Sequence, residues 1–199
     1  MSRRAVVVTA LAASAVFGAA DQYLGSFSAH PWAADVSLLS APWLVLAFLA
    51  GWTQGGPRRG ALVGLACTFA ALVGYCVLTL SPVEHAQLTG AGVEGFVRSS
   101  RRVIVGGLFT GPLFGWLGHR WRTGRAWPGA VLVAGAVCLE PLARLYAGTG
   151  YEIRFSTVWL AEVAAGLAML GYVAWATIAR RRWSGPADPS PPGRIPEAR

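Results

Sequence analysis

The chain contains no lysine, and charged residues make up only 13% of its 199 residues. Soluble domains usually carry about a quarter of charged residues, so this scarcity excludes an ordinary soluble domain. Hydrophobic residues reach 54% instead. Arginine supplies all seventeen cationic side chains. The missing lysine therefore indicates a bias of codon composition, and no particular chemistry depends on it.

Cysteine and recognisable catalytic motifs are scarce as well. Cys67, Cys76 and Cys138 lie in apolar stretches without CxxC spacing, where thiols behave as small buried hydrophobes, so no disulfide framework is predicted. His85 beside Glu84 matches no known spacing of metal ligands. The chain also lacks a P-loop, a GxSxG elbow, an HExxH helix and the aspartate-rich motifs of prenyl-diphosphate enzymes. These absences predict neither a metal nor a cofactor.

What the chain does have is six apolar stretches, each about long enough to span a bilayer. They cover residues 5–20, 38–52, 61–80, 103–117, 127–146 and 157–179. The only long polar connection, residues 81–102, has room for a short surface helix. Beyond Trp183 a run rich in proline and serine cannot build a core. We predict an all-α, six-span membrane bundle over residues 1–183 and a disordered cytoplasmic tail over residues 184–199.

The charges between these stretches predict an orientation. Arginine clusters occupy the two ends and every second connection, and the seven acidic residues before the tail lie in or beside the other connections. The positive-inside rule then places both termini in the cytoplasm of a multi-pass cell-membrane protein. Tryptophans such as Trp43 and Trp159 fall at span ends, as interfacial belts do. Topology thus explains the net charge of +8, so membrane lipids are predicted as partners and nucleic acid is not.

The first apolar stretch allows a second interpretation. Arg3 and Arg4 precede it and the small residues 18–20 follow it, as in a cleaved signal peptide. The apolar run is long for a signal peptide, which favours a retained first span.

The most informative short motif surrounds Glu140. Glu140 and Arg144 are four residues apart, so they share a helix face and can pair. An ionised group within a span costs roughly 2.5–3.5 kcal/mol, so it usually faces the bundle or water. Two interpretations follow: an ion pair that staples the helix near its outer end, or the polar floor of an outward-facing cavity.

Glu162 is the second embedded acid. Glu162 lies a short distance after the outer start of the last stretch, and Glu140 lies a similar distance before the outer end of the preceding stretch. If these two helices pack antiparallel, both carboxylates come to the same depth in the membrane. Two nearby carboxylates can share a proton that serves acid chemistry. Glu140 and Glu162 are therefore the candidate catalytic residues. The alternative is that Glu162 simply pairs with Arg144 or Arg154.

From these patterns we predict one polar pocket on the side opposite the arginine clusters. Its candidate ligand-binding residues are Asp21, Tyr75, Glu140, Arg144, Tyr146, Trp159 and Glu162. Arg98, Arg101 and Arg102 oppose the positive-inside pattern, and their bidentate chemistry suits lipid phosphates or the anionic head of a ligand.

Several short segments resemble an uncharacterised family of small actinobacterial integral membrane proteins. The matching pieces are residues 43–52, Val73-Gly74-Tyr75, the glycine-rich run 111–115 followed by Gly118-His119-Arg120, and Glu140 with Arg144 and Tyr146. The resemblance covers roughly residues 15–179. It implies a multi-pass membrane fold and brings no activity with it.

In size, span count and orientation the chain is similar to the substrate-capture subunits of energy-coupling-factor vitamin transporters. Those subunits often meet their transporter partner through an Ala-x-x-x-Ala pattern in the first helix, and Ala15 and Ala19 match it. This resemblance implies binding or transport of a small solute. Small-xxx-small faces are also general packing devices.

Two alternatives stay open beside solute capture. One is an integral membrane enzyme, similar to the small membrane terpene cyclases, that acts on an isoprenoid or lipid with Glu140 and Glu162 as proton donor and partner. Trp159, Tyr146 and Tyr75 would then line an apolar pocket and stabilise cationic intermediates. The other is a purely structural partner in the membrane. The CAAX-protease family is excluded because Pro141 replaces its second glutamate and every histidine precedes Glu140.

Overall fold

The computed structural model describes the backbone of residues 2–27, 29–124, 127–147 and 157–183, and the side chains of residues 2–27, 29–124, 127–142 and 157–179. This part of the chain is all-α, with one 3-10 turn, Pro82–Glu84, and no strand. Its helices are α1 (Arg3–Gly25), α2 (Pro31–Ser37), α3 (Ala41–Trp52), α4 (Pro57–Thr79), α5 (Gly90–Ser99), α6 (Arg101–Arg122), α7 (Trp127–Ala147) and α8 (Thr157–Trp183). The predicted tail, residues 184–199, lies outside the described part.

Several of these helices carry the composition of membrane spans. Among the described residues, α1, α4 and α8 are each long and apolar enough to cross a bilayer, and the bent pair α2 and α3 adds a fourth crossing if it is one span. Large apolar side chains also point away from the bundle: Phe109 is 72% exposed, Val16 69% and Trp175 65%. Exposed apolar surface on this scale is typical of a membrane protein.

The second predicted span is shorter and broken compared with the expectation. The sequence predicts residues 38–52, whereas the helix begins at Ala41 and is preceded by the separate helix α2, bent from it by 46°. Proline stands in the first turn of each helix, where its missing N–H costs nothing and its fixed φ starts a helix. The predicted surface helix in the connection 81–102 is confirmed as α5.

The central helices pack through glycines at backbone distance. A Cβ on Gly18 of α1 would overlap the carbonyl of Ala71 in α4, and one on Gly74 would overlap the carbonyl of Ala15. At the junction of α3, α4 and α6, a Cβ on Gly115 would meet the carbonyl of Gly60 and lie 2.9 Å from the Cα of Gly64. Small residues are the usual means of such close approach in membrane helices.

A second layer packs through side chains. One buried apolar cluster joins α3, α6, α7 and α8 through Ala47, Phe48, Phe114, Leu117, Ala130, Val133 and Val173. Cys138 of α7 lies against α8, where its thiol reaches the carbonyl of Val163 at 3.5 Å. The three cysteines are free, and the predicted burial is complete for Cys67.

Contacts fix the directions of the helices. Arg3 shares a surface pocket with Pro57 and Arg58, and Ser14 meets Cys67 farther along, so α1 and α4 run parallel. The pairs Gly60–Gly115 and Thr68–Gly107 make α6 antiparallel to α4. One end of the bundle therefore collects the start of α1, the end of α3, the start of α4 and the end of α6. We call it the arginine end, after Arg3, Arg58, Arg59 and Arg122, and the opposite end the cavity end.

Polar groups at the arginine end close the end of α3. The ring nitrogen Nδ1 of His119 lies 3.0 Å from the backbone oxygen of Gln54, so that nitrogen must carry the proton and donate it. A guanidinium nitrogen of Arg122 donates to the carbonyl of Thr53 at 3.1 Å. Both contacts satisfy carbonyls just beyond α3, where no further turn of helix supplies an N–H partner.

Candidate ligand cavity

A cavity of about 560 Å³ opens between α1, α3, α4 and α6 at the cavity end. Most of its wall is apolar and is built from side chains such as Leu44, Leu72 and Val103. Phe96 and Ser100, from α5 and the residue that follows it, also contribute to this wall. The surface helix in the long polar connection therefore belongs to the site.

Asp21 is the one acidic residue of the described wall. It continues the buried face of α1 that begins with Ser14 and Gly18, a spacing of four and three residues that keeps one side of a helix against its neighbours. Its side chain is only 7% exposed, and the indole N–H of Trp43 donates a hydrogen bond to its carboxylate. Within the part of the chain that the structure describes, no arginine or histidine pairs with it.

Aromatic rings form a continuous chain along the cavity. Phe17 meets Trp43 edge to face with ring centroids 5.5 Å apart. Trp43 lies 6.3 Å from Tyr75, and Tyr75 lies 6.1 Å from Phe96. These separations are typical of favourable aromatic pairs. The chain links α1, α3, α4 and α5 around one space.

The hydroxyl groups of the wall are largely engaged with their own helices. Thr68 donates to the carbonyl of Gly64 at 3.0 Å, and Thr110 donates to that of Gly106 at 3.0 Å. Ser37 donates to the carbonyl of Ala34 at 2.9 Å. A hydroxyl that has donated its proton keeps lone pairs that accept, so these three side chains offer acceptors to the cavity.

Glu140 lies beside this wall and binds the start of α3. Its two carboxylate oxygens accept hydrogen bonds from the backbone N–H groups of Ser40 and Ala41. Ser40 precedes the helix without a side-chain cap of its own. A carboxylate at a helix N-terminus satisfies orphan donors and complements the positive end of the macrodipole. The embedded acid predicted from the sequence therefore holds α3 in place next to the cavity.

Glu162 and Trp159 lie away from the cavity. Glu162 is 7% exposed and sits in α8, which packs on α7. Cys138 contacts Val163 and Gly166, so Glu162 and Glu140 come to about the same depth, as expected from the sequence. Arg144 and Tyr146 belong to α7, but their side chains lie outside the described residues.

Of the seven predicted ligand-binding residues, the structure brings Asp21 and Tyr75 together in the cavity wall and sets Glu140 beside it. Trp159 and Glu162 do not line the wall. The reason is that α8 packs mainly on α7 and, to a smaller extent, on α2. The predicted binding residues are thus divided between the cavity wall and the helix α8. The predicted phosphate-binding arginines also stay outside the wall, and Arg98 pairs with Glu94 at 2.7 Å on the surface.

No family model, no curated protein and no solved structure matches this chain. The resemblance to the actinobacterial family stays a prediction.

Sequence reasoning missed most residues of the wall, among them Trp43, Thr68, Phe96 and Thr110. Thr68 and Thr110 carried a usable signal, because each is a hydroxyl in an otherwise apolar stretch. Trp43 was assigned to the interfacial belt, although its indole faces Asp21. For Phe96 the sequence gives no signal, since only the folding of α5 over α4 and α6 brings it to the cavity.

Proposed function

We propose that the chain is a six-span, multi-pass protein of the cell membrane with both termini in the cytoplasm, which binds a small solute in an outward-facing cavity. In α7, Gly129 meets Leu117 near the end of α6 and Glu140 meets the start of α3, so α7 runs opposite to both. In α8, Val163 lies beside Cys138 and Val173 lies in one cluster with Ala130, so α8 runs opposite to α7. The alternating directions of α1, α3, α4, α6, α7 and α8 support six crossings. The 22 residues of α6 would reach about 33 Å at 1.5 Å per residue, although arginines at both ends lower its overall hydropathy. The arginine end would face the cytoplasm under the positive-inside rule.

The observation that carries solute binding is the cavity itself. Ligand sites are typically clefts of about 300–1,000 Å³ with mostly apolar walls and a few polar groups. The cavity at Asp21 has this size and this lining. Its position at the end opposite the arginine clusters supports access from outside.

Transport would require a partner, which we place on α1. Ala15 of the Ala15–Ala19 pattern already packs on Gly74 within the bundle, as small residues generally do. A transporter partner would therefore meet the remaining surface of α1, where Val8 is 64% exposed and Val16 69%. Lipids would cover this surface in the absence of a partner.

We place the enzyme alternative second. A cyclase mechanism needs Glu140 and Glu162 on one apolar pocket with the aromatic residues. The described cavity wall contains neither acid, and Glu140 already binds two backbone N–H groups. The row of aromatic rings fits a binding site as well as an active site, so it does not favour the enzyme.

Two glycines allow a direct test, because each leaves open space for the first atom of a side chain. Gly106 lines the cavity and Gly171 lies on an exposed part of α8, and a Cβ on either would meet no atom within 4 Å. Gly106→Phe should fill the cavity, whereas Gly171→Phe is its matched control.

The measurement is probe binding to the purified protein in nanodiscs of neutral lipid, followed by calorimetry. The probes are phenethylamine, 2-phenylethanol and phenylacetate, which share a ring and differ in charge. At least one should bind saturably to the wild type and to Gly171→Phe and fail to bind to Gly106→Phe. If no probe binds, or if both variants bind like the wild type, solute binding at this cavity is wrong.

A further inference from the structure

Asp21 is a buried carboxylate without a countercharge in the described chain. Its side chain is 7% exposed, and the hydrogen bond from Trp43 is the one interaction that the structure gives it. Burying an ionised group is costly unless it is paired and hydrogen-bonded. No cationic side chain occurs among the described residues of the wall, so a cationic ligand would supply the countercharge that the carboxylate lacks there.

Three of the hydroxyl groups that line the cavity also favour a ligand that donates hydrogen bonds. Ser37, Thr68 and Thr110 have given their hydroxyl protons to backbone carbonyls, and the indole N–H of Trp43 is directed at Asp21 itself. What these groups present to the cavity is lone pairs. A ligand rich in acceptors would leave those lone pairs unmatched, whereas a ligand rich in N–H groups would satisfy them.

The aromatic rings of the wall fit the same chemistry. A cation held within about 6 Å of a ring face is attracted by the quadrupole of the ring, most strongly for tryptophan. Trp43 both touches Asp21 and stands 6.3 Å from Tyr75. A carboxylate and a pair of aromatic rings around one space are what an organic ammonium ion requires.

We infer that the ligand of this cavity is an organic monocation with N–H donors and an apolar body, that is, a protonated primary or secondary amine. This inference rests on the proposed solute binding. A bare metal ion fits poorly, because one carboxylate does not complete a coordination sphere and the described residues contain no group of three metal-ligating side chains. The volume of about 560 Å³ instead suits a molecule of many atoms.

Charges near the mouth do not oppose this assignment. Arg101 and Arg102 begin α6 just after the wall residue Ser100, and both are exposed, so water and salt screen them. Arg98 is neutralised by Glu94. Asp35 of α2 adds a negative charge at the same end of the bundle.

The first test uses the wild-type protein and the charge of the probe. Phenethylamine should bind about tenfold or more tightly than 2-phenylethanol, because both can donate a hydrogen bond to Asp21 but only the ammonium adds an opposite charge. Phenylacetate should not bind, since its carboxylate would face Asp21. Trimethyl(phenethyl)ammonium, which keeps the charge and has no N–H donor, should bind more weakly than the amine. Calorimetry in neutral-lipid nanodiscs, with empty nanodiscs as the blank, measures all four.

The second test removes the charge of Asp21. In Asp21→Asn the preference for phenethylamine over 2-phenylethanol should disappear, whereas Asp35→Asn, outside the cavity wall, should keep it. Thermal unfolding of each variant reports whether it folds. If Asp21→Asn does not fold, the charge series on the wild type still decides the matter.

The outcomes separate this inference from the proposed function. Binding of the alcohol or of phenylacetate in preference to the amine, lost in Gly106→Phe, would overturn the amine assignment and keep solute binding. An amine preference that persists in a folded Asp21→Asn would also overturn it. Failure of every probe would overturn both.

Discussion

Single residues in this bundle join segments that are far apart in the sequence, and Glu140 is the clearest case. Its carboxylate closes the start of α3, which lies 100 residues earlier in the chain. Two charge-assisted hydrogen bonds to backbone N–H groups are among the stronger polar contacts that a protein makes. Because Ser40 also borders the cavity, this contact fixes one wall of the site.

Glu140→Gln should therefore lower the free energy of unfolding by about 1–3 kcal/mol, since an amide accepts through one oxygen only and turns its NH₂ toward a backbone donor. Glu94→Gln is the control, because its ion pair with Arg98 is exposed and such pairs contribute about 0–1 kcal/mol. Denaturation of both variants in detergent gives the comparison. Equal losses would show that Glu140 contributes no more than a surface charge.

The sequence identified the residue but not its hydrogen bonds to the start of α3, and its predicted pair with Arg144 lies outside the described side chains. Glu140 was recognisable as costly within an apolar stretch, and the nearest cation in helical spacing was Arg144. The sequence does not distinguish the backbone N–H groups of residues 40 and 41 from any others, because every residue except proline has a backbone N–H group. Asp21 stands out in the sequence as an acid beside the first apolar stretch, and Tyr75 as an aromatic residue suited to an apolar pocket, whereas the meeting of Tyr75 with Phe96 required the fold.

Helices in this molecule meet at two kinds of interface, which differ in whether glycine lets the backbones touch. Where α1, α4, α6 and α3 cross, backbone touches backbone, and where α7 and α8 join them, side chains such as Phe114 and Val133 fill the space. The six apolar stretches predicted the central part of most helices, because a run of hydrophobic residues is visible in the sequence without knowledge of the fold. The separate helix α2 and the precise ends were missed because proline and capping override hydropathy at boundaries.

Gly115→Ala tests the backbone interface. Its methyl group would overlap the carbonyl of Gly60 and press on the Cα of Gly64, and neither backbone can move aside as a flexible side chain could. Overpacking of this kind costs about 1–3 kcal/mol and occasionally more. Gly171→Ala, in open space on α8, should be neutral or slightly stabilising. Thermal unfolding in detergent distinguishes them, and similar midpoints for the two variants would contradict the packing described for α6.

The whole molecule has two chemically different ends, and the proposed orientation in the membrane is based on this difference. Arg58 and Thr123 belong to the arginine end, while Gln87 lies in the connection between α4 and α5. All three residues are exposed. Composition predicted the membrane class directly, whereas the orientation depends on the charge bias between connections and needs an experiment.

Labelling with a membrane-impermeant maleimide supplies that experiment. Single cysteines are placed at positions 58, 123 and 87 in a chain whose Cys67, Cys76 and Cys138 are replaced by alanine. In intact cells position 87 should react, and positions 58 and 123 should react only after permeabilisation. Labelling of 58 or 123 from outside would refute the orientation, and opposite results for these two positions would refute the number of crossings.

The glycine junction has a mechanical consequence for the cavity. With no side chain between their backbones, α3, α4 and α6 cannot slide closer at Gly115, so this point acts as a fulcrum. From there to the start of α6 at Arg101 the helix forms a lever arm of roughly 21 Å at 1.5 Å per residue. A tilt of about 10° would then move the tip by about 4 Å, which is comparable to the pitch of a helical turn. Such a tilt would change the size of the cavity from the cavity end, while the arginine end stays in place.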